Sequence, residues 1–150
     1  MKRLLSMALA VMLVFCSLSV FAAAAEETVE TVYLEDGSYL TIQTITYDTR
    51  ASGSKSGSKV YTHHGSNGDD IWKATLSGSF TYNGSSATCT SSSVDVTIYN
   101  SAWYTVSKSA SKSGNTATAS VTMGEKRGGV TVTTLPISIS LSCDKDGNLS

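Results

Sequence analysis

The chain has 150 residues and a near-even charge balance, with 11 Lys or Arg against 12 Asp or Glu and a formal net charge of −1. One domain with one real core is the natural count at this length. No basic stripe is available to track phosphates, which disfavours nucleic acid and anionic membrane as partners.

The chain opens Met1-Lys2-Arg3, runs apolar from Leu4 to Phe21 and reaches Ala22-Ala23-Ala24-Ala25 before Glu26. A basic start, a short apolar body and a small-residue stretch make a secretory signal peptide over residues 1–25. A retained anchor is the alternative, disfavoured because the small-residue site follows the apolar run directly. Phe15 before Cys16 is too bulky for a lipoprotein site. The expected product is a single secreted, extracellular domain, residues 26–150, without a membrane span after cleavage. Its 125 residues hold 9 basic and 12 acidic side chains, 42 are Ser or Thr, and Pro136 is the one proline. Thr suits strands and Ser suits turns, so this composition points to an all-β domain with polar outer faces.

Thr28 to Leu34 reads as a short strand, and Asp36-Gly37 as a tight hairpin leading into Tyr39 to Tyr47. In that second strand Leu40 and Ile42 share one parity and Ile45 and Tyr47 the other, which predicts a bulge near Gln43-Thr44 or cover on both faces. Residues 49–59, TRASGSKSGSK, read as a flexible Gly/Ser-rich connection. Val60 to His64 is a further short strand, turned by Gly65-Ser66-Asn67-Gly68.

The clearest element is Asp70 to Tyr82. Trp72, Ala74, Leu76, Gly78, Phe80 and Tyr82 alternate there with Lys73, Thr75, Ser77, Ser79 and Thr81, the period of a half-buried strand. Gly78 on its apolar side marks a bend or a close approach. After the Asn83-Gly84 turn, Val94, Val96 and Ile98 define one inward face and Ala102, Tyr104 and Val106 another. Ser107 to Asn115 reads as a loop, Thr116 to Met123 as a strand with small inward residues, and Glu125 to Gly129 as a hairpin tip. The last strand, Val130 to Cys143, changes parity around Pro136, which belongs on an edge or at a bulge. The sum is an all-β, antiparallel β-sandwich of about eight strands.

Cys89 and Cys143 remain after cleavage, and in an exported chain they are expected to form one disulfide. Closing a loop of about 55 residues would stabilise the fold by roughly 4 kcal/mol. Two free thiols or a metal pair are the alternatives, the latter disfavoured without CxxC spacing.

Motifs for chemistry are sparse. His63-His64 with Asp69-Asp70 is the densest metal-capable set, but strand neighbours point to opposite faces and cannot easily clasp one ion. Asp144-Lys145-Asp146-Gly147-Asn148 resembles the start of a calcium loop, with Leu149 in the place of its invariant glycine; a polar turn is the simpler reading. No G-x-S-x-G occurs, since Lys55 is central between Gly53 and Gly57. No catalytic residue, metal or cofactor is therefore assigned. Trp72, Trp103, Tyr82, Tyr99 and Tyr104 could form an aromatic platform. Tyr99 and Trp103 oppose the parity of the inward residues around them and are the candidate binding aromatics.

Cys89, Trp103 and Cys143 have a Cys-Trp-Cys spacing similar to an immunoglobulin-like domain, although Leu141 stands where that family places Tyr. That comparison supports general architecture only. The segments YLEDGSY (33–39), TRASGSKSGSK (49–59), GSFTYNGSSATC (78–89) and SKSASKSGNTATA (107–119) resemble a group of small secreted proteins of Firmicutes, chiefly clostridia. The resemblance implies source and export and carries no activity or site. The expected function is non-enzymatic binding, with a cell-surface glycan or protein as partner. The alternative is a secreted antibacterial or toxin-like factor.

Overall fold

A computed structural model describes residues 27–47 and 53–150; the expected signal peptide, residues 1–25, lies outside them. The described residues form eight strands, β1 (Glu27–Tyr33), β2 (Tyr39–Tyr47), β3 (Ser54–His64), β4 (Asp70–Tyr82), β5 (Ala87–Ile98), β6 (Trp103–Ser113), β7 (Thr116–Arg127) and β8 (Val130–Ser142). They build two antiparallel sheets, β1-β2-β3-β4-β5 and β6-β7-β8. Every hydrogen-bonded neighbour is also a sequence neighbour, so each sheet is a meander. This differs from the Greek-key connections of the immunoglobulin fold.

The alternation in β4 places Trp72, Ala74, Leu76 and Phe80 on the inner face, all essentially inaccessible. Opposite them β7 supplies Ala117, Ala119, Val121 and Met123, and β8 supplies Ile139 and Leu141. Small residues on β7 leave room for large ones on β4, which is how two pleated faces reach interior packing density. Gly78 sits at the tightest point: a Cβ there would lie 2.9 Å from the Phe80 ring and 3.2 Å from Ala117 Cβ. Gly78→Ala is therefore expected to lower the unfolding free energy by about 1–3 kcal/mol, read as an earlier urea midpoint with an unchanged slope.

Outer faces carry the hydroxyl residues. On the three-stranded sheet Ser109, Ser120 and Ser138 align in one row, and Ser111, Thr118 and Ser140 in the next. Ser111 Oγ and Thr118 Oγ1 are 2.8 Å apart. This accounts for two corrections. Ser107–Ser113, expected as a loop, completes β6, and 54–59, within the expected flexible connection, forms the first half of β3. Backbone pairing with β7, and with β2 and β4 respectively, stabilises these segments although neither has an apolar face. No bulge interrupts β2, which is half-covered on both sides instead. Pro136 lies opposite Thr122 on β8, an edge strand, as expected.

The expected disulfide is not formed. Cys89 and Cys143 are buried free thiols, with Cys89 Sγ 3.2 Å from the Ser91 carbonyl oxygen and Cys143 Sγ 3.5 Å from that of Asp144. Burial is the main cause raising both thiol pKa values; neighbouring Asp144 and Cys89 push Cys143 further the same way. The thiolate needed for oxidation is thus suppressed. The β6–β7 turn ties these strands together instead: Cys89 N donates to Gly114 O (2.8 Å) and Cys143 N to Asn115 O (3.0 Å).

Candidate functional site: the aromatic and histidine cluster at one end

Turns 34–38, 65–69, 99–102 and 128–129 share one end of the molecule, because the meander returns there after every second strand. The decisive local feature is a register shift between His63 and His64: His63 pairs with Trp72 and His64 with Asp70, leaving Ile71 as the extra residue. Ile71's carbonyl is free to accept both Tyr99 N (2.9 Å) and Asn100 N (3.0 Å). The β5–β6 turn is closed by Trp103 N on Asn100 O (3.0 Å) and Ala102 N on Asn100 Oδ1 (2.9 Å). Tyr99, half exposed, is thereby held on a tightly bonded turn.

Inside, His63 is buried, its ring 5.2 Å from Trp72 and 5.2 Å edge-on from Trp103. Trp103 is thus not the exposed aromatic expected; it closes the inter-sheet space as a half-buried lid on His63. Ser38 Oγ donates to Asp36 Oδ1 (2.5 Å), so it must accept from His63 Nε2 (3.1 Å). That fixes the tautomer and leaves His63 Nδ1 buried without a partner. The order is opposite to nucleophile activation, in which histidine takes the serine proton, and Ser38 is itself buried. Burial is the largest influence on His63 and lowers its pKa; Asp36 and Glu125 oppose it and His64 adds to it. Asp36, held by the Ser38 hydroxyl and N–H, stays below the usual carboxylate range.

Outside, three rings cross three strands. Tyr33 and Tyr39 lie 5.7 Å apart, and Tyr39 stacks on His64 at 4.6 Å with 17° between planes. His64 Nε2 meets Thr41 Oγ1 at 2.9 Å; its Nδ1 is 2.8 Å from Asp70 Oδ1, a contact outside hydrogen-bond alignment. Tyr33 ends the row with 77 % of its surface exposed. The two histidines do point to opposite faces, and the described residues contain no group of three His, Cys, Asp or Glu placed to hold a metal. Asp144 instead caps a polar turn, accepting from Asp146 N and Asn148 N at 2.9 Å each. A small polar pocket of about 110 Å³, lined by Thr81, Tyr82, Asn83, Ser86 and Thr88, lies at the other end, away from both histidines.

Tyr33 and Tyr39 were not singled out as site residues from the sequence: the turn Leu34–Ser38, centred on Asp36, sets them opposite each other, whereas a two-residue Asp36-Gly37 turn would set Tyr33 against Leu40. No protein-family model, curated protein or solved structure matches the chain.

Proposed function

We propose that this chain is an exported, non-catalytic β-sandwich protein that binds a cell-surface glycan or protein through its aromatic turn end. The observation that carries this reading is Tyr99, an exposed aromatic on a turn fixed by two hydrogen bonds to Ile71 O. A rigid aromatic presented without loop-ordering cost is the usual anchor of a recognition surface. Export rests on residues 1–25, and the bacterial setting on the resemblance to clostridial secreted proteins.

The test is co-sedimentation of the labelled protein with washed Gram-positive cells and with isolated wall polymers. Saturable pelleting is expected, weakened at least tenfold by Tyr99→Ala with no change in melting temperature. Pelleting indifferent to Tyr99→Ala would remove the turn end from the interface, and no pelleting at all would sink the reading.

A further inference from the structure

We propose that two copies of this chain pair antiparallel along the edge of β1 that no other described strand covers, centred on Thr31, to make one continuous ten-stranded sheet. This goes beyond the binding surface at Tyr99, which the pairing leaves untouched, so the two readings fail independently.

The other strand edges are guarded. β5 and β6 are bridged by Lys112 Nζ on Thr90 O (2.5 Å) and by Lys108 beside Asp95 (3.6 Å). β8 carries Pro136, and at its end Ser142 and Ser150 exchange backbone hydrogen bonds of 2.9 and 3.0 Å. All seven residues of β1 are exposed, with no proline among them. Such an edge is a template for another strand.

Its hydrogen-bonding phase is fixed by the hairpin. Leu34 N donates to Ser38 O (2.8 Å), so the even residues of β1 address β2. The N–H and C=O groups of Val29, Thr31 and Tyr33 therefore face outward. A two-fold at Thr31 sets Val29 against the partner's Tyr33, Thr31 against the partner's Thr31, and Tyr33 against the partner's Val29, all in hydrogen-bonding phase. Val29 is 60 % exposed and Tyr33 77 %, and this register covers both at once, twice over. Aromatic and β-branched residues directly opposite are favourable cross-strand pairs. Each partner's Val29 also caps the open face of the Tyr33–Tyr39–His64 row.

Charge placement excludes the Glu30-centred register and apolar burial the Val32-centred one. Centring on Glu30 would oppose Glu30 to the partner's Glu30, and centring on Val32 would set Val29 against the partner's Glu35. Centring on Thr31 places Glu30 beside the partner's Val32. The like charges it does bring together, Glu27 and the partner's Glu35, lie exposed at the outer ends, where water screens them. One strand pair buries less than the ~1,000 Å² typical of a stable interface, so the dimer is weak and concentration-dependent.

The test uses the chain expressed with its own N-terminus, so that any processing occurs. Sedimentation velocity should show a monomer–dimer equilibrium across micromolar concentrations, shifted to monomer by Tyr33→Lys or Val29→Lys with unchanged far-UV circular dichroism. Under mild oxidant Thr31→Cys should give a covalent dimer, because hydrogen-bonded antiparallel partners sit about 5.5 Å apart at Cα, within disulfide reach. A mixture of Val29→Cys and Tyr33→Cys should cross-link at least fivefold more than either alone. A sample that stays monomeric at every concentration, a dimer that survives Tyr33→Lys, or cross-linking strongest for Glu30→Cys would each overturn the proposal.

Discussion

Replacing Trp72 with alanine should lower the unfolding free energy by about 3–5 kcal/mol, the largest effect expected of any single core truncation here. Trp72 is wholly inaccessible, packs against His63 and lies 6.3 Å from Trp103, so its removal empties the space where the two sheets meet. Against the roughly 5–15 kcal/mol that holds a domain together, that is enough to leave a substantial unfolded fraction. Trp72→Phe should be much milder, within about 1.5 kcal/mol, because the indole Nε1 has no hydrogen-bond partner to lose. Urea unfolding of the two variants decides the matter. Equal losses would mean that the bulk of this ring is not what joins the layers.

The second large effect is a loss of stability on mild acidification, centred on His63. Burial holds its folded pKa below the ordinary imidazole value of 6.5 against the opposing pull of Asp36 and Glu125. The unfolded chain therefore binds this proton more readily than the folded one. The contribution is fully present above about pH 6.5 and is lost as pH falls from there through the lowered folded value. Protonation would place an N–H at the buried, partnerless Nδ1 between two indoles. Asp36 acts in a separate window, below its ordinary value of 3.8. Melting temperature should thus decline between pH 7 and 5, and His63→Phe, which keeps a ring between Trp72 and Trp103, should flatten that decline. A decline of unchanged steepness in His63→Phe would assign the pH dependence to other groups.

Much of the architecture was legible because β4 and β7 obey a two-residue period with large and small apolar residues in turn. The first half of β3 and most of β6 were not, since Ser, Lys and Gly on both parities carry no hydropathy signal. Such segments become strands only because neighbours on either side, or on one side for β6, offer backbone partners. The site shows the same division. Opposite orientation of His63 and His64 follows from strand geometry, whereas the extra residue at Ile71 depends on how β3 and β4 register across the turn that joins them and left no trace in the sequence. Trp103 illustrates how parity fails at a strand start: the shift between Thr105 and Ser107 resets the face on which the preceding residues lie. Cys89 and Cys143 were legible as neighbours in space, but not as thiols, because that depends on where each sulfur points.

The sequential order of strands within each sheet also governs how the chain reaches this shape. Each hairpin closes over a few residues, so little chain entropy is lost before the next one forms. The five-stranded sheet can zip from its first hairpin onward while the rest of the polypeptide is still emerging from the ribosome. Only the closing of β6-β7-β8 over it, with the Gly114-Asn115 turn catching Cys89 and Cys143, joins regions far apart in sequence. That docking step carries a larger loop-closure cost than any strand pairing within the two sheets.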